Sequence, residues 1–380
     1  MPHHDLLLVH RDYRHRGGEE VFLEDHLIPG LDAIGVSYRL VRIPALAESD
    51  RVELATMALG LERRRPSLRL VSDALDAGSY RAVLFNNFIP TVSLAAPALC
   101  RQRGLRVFHW AHNSRLSCAN GVSFDGKEAC AACFDHGARS ILTRACFPSK
   151  AQRALYASVY RGRRVPSTLL RVVDEWLVSA EYSARQIQHA AVTLQIPTRT
   201  RTIRMTPTVA SVEGDMSPEI RAYVAAHADA YYLYVGRLSF EKGTDRFVAL
   251  ARAHPDAAFA IAGKGPMEAE VRGNAPANLA VLGFVSAAER QHLIASARAL
   301  VVPSRAPENS PVVLFESHFA KTPVFYAPGG GAEEVSHWLE RDARPLSEFS
   351  TSAQFERRGR TFRGDEFRTD LAAWAKTFTR

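Results

Sequence analysis

Short apolar runs separated by stretches of helical periodicity fill most of this chain. Asp5 to His10, Val36 to Ile43, Arg81 to Asn86 and Leu105 to Trp110 read as strands, with helices expected over residues 19–34, 51–65 and 91–103. The alternation returns later, with strands expected near 231–235, 257–262, 279–285, 299–303 and 323–327; apolar Tyr231 to Val235 reads as a buried one. Strands and helices in alternation predict an α/β chain of doubly wound parallel sheets. Between the two series, Met205-Thr206-Pro207-Thr208 and Ser211 to Ser217 carry turn-formers and no clear apolar period, which places a linker there. The expected organisation is two tandem Rossmann-like domains facing a central cleft, residues 1–210 and 211–364, followed by a C-terminal helix over 365–380.

Composition agrees with that outline and adds limits. At 380 residues the chain exceeds one typical core, and 47% hydrophobic with 23% charged residues is a globular balance. No run approaches the ~20 apolar residues of a membrane span. The start, Met1-Pro2-His3-His4-Asp5, runs straight into a strand and shows no secretory signal, and five cysteines then fit a reducing cytoplasm. The net charge is +8, carried mostly by arginines such as Arg63 to Arg65, Arg161 to Arg164 and Arg199 to Arg204. Two readings stand: arginines spread over solvated surface, or peripheral attraction to anionic headgroups at the inner face of a membrane. Nucleic acid is disfavoured, since no helix-turn-helix, zinc-finger or aromatic-rich ribonucleoprotein signature is present.

The chemistry concentrates in the second half. Gly236 and Gly243 bracket a loop carrying Arg237 and Lys242 just past the strand Tyr231 to Val235. A loop at a strand end is where α/β sheets bind ligands, and a planar guanidinium with a point-charge ammonium suits a diphosphate. Further on, Pro307-Glu308-Asn309-Ser310-Pro311 reads as a loop ending in a Ser310 cap with Pro311 as the first helical residue. The amides of that helix start suit a phosphate, with Glu308 beside it in the loop. Glu316, about two turns into the helix, can accept from vicinal ribose hydroxyls. Eight residues of helix span ~12 Å, against the roughly 5–9.5 Å between glycosidase carboxyl groups, so the two glutamates are expected to hold different parts of one sugar-bearing anion.

The first half offers three smaller signals. Gly17-Gly18 follows the first strand, allows close approach of backbone, and opens a helix. It is not the GxGxxG fingerprint, so a dinucleotide cofactor has no support. His112 follows the strand ending at Trp110 and is a candidate for orienting substrate. Cys118, Cys130, Cys133 and Cys146 can supply four thiolates to a tetrahedral structural zinc; unliganded buried thiols and redox chemistry stay open beside it.

Taken in this order, the Arg237–Lys242 loop and the Glu308–Glu316 segment resemble the retaining, family-4-type nucleotide-sugar glycosyltransferases, whose fold is the twin-Rossmann GT-B. The resemblance is strongest over residues 229–337 and weaker over 5–20 and 105–185. It implies transfer of a sugar from a nucleotide-diphosphate sugar to a hydroxyl acceptor, in bacterial cell-surface polysaccharide or other glycan biosynthesis. Glycan, lipid-linked and small-molecule acceptors all remain open. Arg237, Lys242 and the helix start with Asn309 and Ser310 would stabilise the departing diphosphate, without a catalytic cofactor or a divalent metal. Glu308 would orient the sugar ring and Glu316 would hold the ribose. By resemblance, His112 contacts the transferred sugar, and Gly17 and Gly18 line the donor phosphate and acceptor side. The backbone at Gly263 and Gly265 passes close to the nucleotide, and Phe284 and Val285 wall the base. The matching Ser179 is structural. A subset of similar transferases carries the cysteine-bearing insertion, here 113–147, with Cys118-Ala119-Asn120-Gly121 and Asp125-Gly126-Lys127. In related enzymes the last helix crosses back to the first domain, which Asp370 to Thr379 could do. Beyond Glu334 the sequence departs from the family and turns polar and arginine-rich, so a trimmed C-terminal domain is expected. An epimerase or hydrolase on the same fold, or a non-catalytic scaffold of a polysaccharide-assembly complex, are the rival readings.

Overall fold

The computed structural model describes residues 2–13, 17–45, 52, 55–56, 58–87, 92–147, 149–205, 216–339, 342–355 and 365–379. The chain divides into two compact units. One holds Met1–Asp125, Cys130–Thr206 and Gly364–Arg380; the other holds Gly126–Ala129 and Pro207–Arg363. Most of the expected linker, residues 206–215, lies outside the described residues.

The first unit is built on six strands: β1 His3–Arg11, β2 Tyr38–Ile43, β3 Ser79–Phe85, β4 Arg106–Trp110, β5 Glu175–Val178 and β6 Thr200–Thr202. They pair in the order β2-β1-β3-β4-β5-β6, every pair parallel. Leu6, Leu7, Leu8 and Val9 are all fully buried, the continuous apolar run of a sheet covered on both faces. The order turns back between β1 and β3, so loops leaving their C-terminal ends diverge to opposite faces and open a crevice there.

The helix expected over 19–34 forms, but not uniformly. Gly18–Phe22 and Ile28–Ala33 are α-helical, and Leu23–Leu27 between them is a π turn. Pro29 supplies no N–H and its ring collides with the carbonyl four residues back, a conflict that a widened turn relieves. Over 51–65 the expectation needs correction. Described residues up to Ala58 are helical, Gly60 takes a positive φ of 74°, and Glu62–Arg64 is a 3₁₀ turn. An unforeseen helix, Pro66–Ala77, starts at Pro66, because proline fits the first turn of a helix as readily as it stops one. Nor is the arginine run wholly solvated. Arg65 is 2% exposed and its Nη1 donates to Glu62 at 3.0 Å.

The helix Glu366–Thr379 belongs to this first unit. Its Phe367, Leu371, Trp374 and Phe378 are buried, with Trp374 edge-on to Phe108 at 5.1 Å. Arg106 Nη1 donates to the Thr377 carbonyl at 2.6 Å.

The second unit repeats the layout with β7 Tyr231–Val235, β8 Ala258–Ala262, β9 Leu279–Gly283, β10 Ala299–Val302, β11 Val324–Tyr326 and β12 Ala343–Pro345. Their order is β12-β11-β10-β7-β8-β9, again all parallel. Strand β12 corrects the expectation of a trimmed domain. Its Arg344, and Pro345 with no N–H to donate, suit an edge position that needs only one hydrogen-bonded neighbour. Beyond it, Phe349 packs on Tyr232 at 4.8 Å and on Phe325 at 4.8 Å, closing the core. Here the order reverses between β7 and β10, the kind of position at which open α/β sheets bind ligands.

Candidate functional site

The loops leaving β7 and β10 are tied together at this reversal. The Glu241 carbonyl accepts from the amides of Arg305 at 2.9 Å and Ala306 at 3.0 Å. Phe240–Lys242 forms a 3₁₀ turn that aims Lys242 at Glu308, whose two carboxylate oxygens each accept from Nζ at 2.7 Å. Ser304 Oγ donates to the same carboxylate at 2.6 Å. Glu308 is therefore held by a cation and a hydroxyl at the C-terminal edge of the sheet. Arg237 is more exposed, at 57% of its side chain, and pairs with Glu241. Neighbouring Arg305 pairs with Asp245 at 2.5 Å and lies over the Phe240 ring at 4.3 Å.

A third segment closes on Glu308 from behind. The Gly331 amide donates to the Glu308 carbonyl at 2.5 Å, and Glu308 bridges Gly330 as an isolated parallel pair. A Cβ on Gly331 would sit 1.6 Å from the Asn309 carbonyl oxygen, so only glycine allows this approach. Sequence reasoning passed over Gly329-Gly330-Gly331, although three glycines just past a strand were a visible signal.

The helix after Glu308 departs from expectation in detail. It spans Val312–Phe319, with Pro311 as the capping residue rather than its first residue, and no side chain caps it. The Ser310 hydroxyl is buried without a hydrogen-bond partner, so it is not the cap. Pro311 itself is extended, at φ −65° and ψ 119°, so the helix starts one residue later than expected and Ser310 falls outside the capping position. Glu316 falls at the fifth helical position, little more than one turn in. Its carboxylate is gripped in bidentate fashion by Arg290, with Nη2 at 2.6 Å and Nε at 2.9 Å. Nothing in the sequence flagged Arg290, one arginine on the helix Ala287–Ser296.

Around these groups, Gly263 and Gly265 pack on the backbone of Gly236 and Leu238, and the Leu238 amide donates to the Lys264 carbonyl at 2.9 Å. Phe284, next after β9, is a large apolar side chain left 68% exposed. Val285, beside it, is buried at 7%.

In the first unit the Gly17 turn is already satisfied. The Gly17 amide donates to Glu20 Oε2 at 2.9 Å and the Tyr13 amide to Glu20 Oε1 at 2.8 Å. A carboxylate thus occupies the turn that was expected to receive an anion, while Gly18 is exposed. His112 lies under Phe22 at 4.7 Å and stacks on Trp110 at 6.2 Å. Burial and the nearby His10 push its pKa well below the ordinary 6.5, so it is neutral near pH 7. Its Nε2 meets Asn86 Oδ1 at 3.0 Å. Ser179 accepts from the Trp110 indole at 3.2 Å, a packing role.

Of the four insertion cysteines, Cys118 is buried, and its thiol donates to Asn120 Oδ1 at 2.9 Å. Cys133 lies beside Cys118, and the pair's shared hydrogen bond lowers the Cys118 pKa and raises that of Cys133. Among the described residues no group of three or more His, Cys, Asp or Glu side chains is arranged to hold a metal ion. Cys130 and Cys146 therefore do not complete a ligand set in this arrangement.

Residues 216–340 match the family described as glycosyl transferases group 1. No curated protein matches the sequence. Among solved structures, the chain resembles Anabaena HepE in complex with UDP-glucose, at 17% identity over 98% of this chain and 89% of that one, with a TM-score of 0.57. Trehalose-6-phosphate synthase OtsA gives a TM-score of 0.59 at 11% identity, covering 98% of this chain and 91% of its own. A glycosyltransferase involved in avilamycin A biosynthesis gives 0.51 at 12% identity, with 99% and 96% covered. At these identities the likeness is one of fold, and the fold is the twin-Rossmann GT-B class.

Proposed function

We propose that this chain is a retaining glycosyltransferase that moves a sugar from a nucleotide-diphosphate donor to a hydroxyl acceptor in glycan biosynthesis. The observation that carries the reading is Lys242 and Ser304 holding Glu308 at the β7/β10 reversal, inside the segment that matches the group 1 transferases. In the transfer, the bond from the anomeric carbon to the diphosphate oxygen breaks and its electron pair leaves with the diphosphate. Lys242, Arg237 and the uncapped amides at the start of Val312–Phe319 stabilise that charge. The acceptor oxygen bonds the same face of the anomeric carbon, and its proton passes to the leaving phosphate oxygen. Glu308 accepts from sugar hydroxyls, exchanging part of its grip on Lys242 for them as the phosphate claims the ammonium. Glu316 accepts from the ribose, with Arg290 fixing its orientation. His112 hydrogen-bonds the sugar, and exposed Phe284 stacks on the base. The UDP-glucose carried by Anabaena HepE supports a uridine donor.

The test is to incubate the protein with nucleotide sugars and polymeric, lipid-linked and small hydroxyl acceptors and to read the product anomer by NMR. A glycoside with the donor's configuration, lost with Glu308→Gln, is expected. Free sugar alone, an epimer, or an inverted product would overturn the reading.

Two further proposals stand apart from the chemistry. The insertion thiols bind a structural zinc on rearrangement around the Cys118–Cys133 contact; metal content well below one per chain in untagged protein removes it. The arginine-rich surface brings the protein to the cytoplasmic face of a membrane, and flotation with anionic but not neutral vesicles tests that. Among the described residues no helix is long and apolar enough to cross a membrane.

A further inference from the structure

A row of polar groups crosses three neighbouring strands of the first sheet at their C-terminal ends. His10 lies in β1, Asn86 directly follows β3, and His112 lies two residues past β4. His10 and Asn86 are fully buried. Asn86 Nδ2 lies 3.0 Å from His10 Nδ1, and Asn86 Oδ1 lies 3.0 Å from His112 Nε2.

The amide can be satisfied in two senses, and Asp12 decides between them. Its Oδ1, which also accepts from Arg42 Nη1 at 2.8 Å, is 3.8 Å from His10 Nε2, which is buried and has no hydrogen-bond partner. A carboxylate facing that nitrogen favours a proton on it, not a lone pair. His10 Nδ1 is then an acceptor and must be met by the Asn86 amide nitrogen. The amide oxygen is thereby turned to His112, where it can only accept, so His112 Nε2 must carry hydrogen.

We infer that Asn86, aligned by His10 and Asp12, is the positioning residue that holds His112 as a neutral ring protonated on Nε2, leaving Nδ1 as the ring's acceptor. A ring so held takes a hydrogen bond from a sugar hydroxyl or an N–H and disfavours a carboxylate, which favours neutral sugars over uronic acids. That consequence rests on the proposed contact between His112 and the sugar; the tautomer does not. The other charged and titratable groups around the row are Glu19, Glu24, Arg42 and His109, and their net effect leaves His10, His109 and His112 all with lowered pKa values.

The full chain, labelled with ¹⁵N-histidine, reports the tautomer through long-range ¹H–¹⁵N correlations, with His112→Gln providing the assignment. Between pH 5 and pH 8 the His112 signals are expected to show a neutral Nε2–H ring that does not titrate. Asn86→Asp places a carboxylate against Nε2, which should raise the His112 pKa from about 3 by about 2–3 units, so that the ring begins to titrate at the acid end of that window. Turnover should acquire the same pH dependence, with a smaller change in KM. A proton on Nδ1, or a cationic His112 in the wild type, overturns the inference, and so does a folded Asn86→Asp whose His112 stays neutral. The wild-type spectrum decides even where a substitution prevents folding. Undiminished transfer by His112→Gln would instead remove the sugar contact and leave the tautomer standing.

Discussion

Glu308 sits between an ammonium and a hydroxyl with only 14% of its side chain exposed, and this decides what each substitution there does. Lys242→Met leaves a mostly buried carboxylate with Ser304 as its remaining partner. It should lower stability by about 1–3 kcal/mol as well as activity, read by urea unfolding beside nucleotide release. Glu308→Gln keeps the shape and the Ser304 hydrogen bond. It should unfold close to the wild type while transfer falls about 100-fold. Equal loss of stability in both would place the pair in the framework alone. The buried histidines set a pH dependence. His10, His109 and His112 all have pKa values below 6.5, His109 at about 4 and His112 at about 3, chiefly through burial. Below pH 6.5 the unfolded chain binds these protons and the folded chain does not, so stability falls as pH drops toward 4. The slope is up to about 1.4 kcal/mol per pH unit per histidine. Urea midpoints should be flat from pH 7 to 8 and decline below 6.5, less steeply in His109→Gln. A midpoint that rises on acidification would contradict this.

Strand positions were legible because each is an apolar run bounded by turn-formers: Tyr231 to Val235 was read to the residue, and β4 within one. Helix starts were harder. Pro66 and Pro311 look alike in sequence, yet one opens a helix and the other precedes it, since the difference lies in what each turn packs against. Within the site, Lys242 and Glu308 were legible from residue type and strand-end position. Arg290 was not, because its partner lies 26 residues away on another helix. Asn86, His10 and Ser304 follow the strand-end logic that picked out His112 and could have been found with it. The glycine run shows how an element positions chemistry. Gly331→Ala would drive a methyl into the Asn309 carbonyl and displace the segment bearing Glu308. It should cost at least about 2 kcal/mol and abolish donor binding, by unfolding and by calorimetry. Wild-type donor affinity in that variant would show that the packing of Gly331 does not position Glu308.

On the scale of the whole chain, the last helix leaves the second unit's sequence to complete the first unit's core. Trp374 is fully buried against Phe108, so Trp374→Ala should destabilise the first unit by about 3–5 kcal/mol. Limited proteolysis should then cut the first unit while sparing the second, and protection of both would contradict that division. The central claim is that the second unit holds a nucleotide-diphosphate sugar at the β7/β10 reversal. Its most direct test is calorimetric titration of the full chain with UDP-, GDP-, ADP- and dTDP-sugars, with Glu316→Ala alongside. Saturable binding of one nucleotide series, uridine by this account, weakened at least about tenfold in the variant by loss of the charge-assisted ribose contacts, is the predicted result. Binding of none of them by the folded protein would contradict the account.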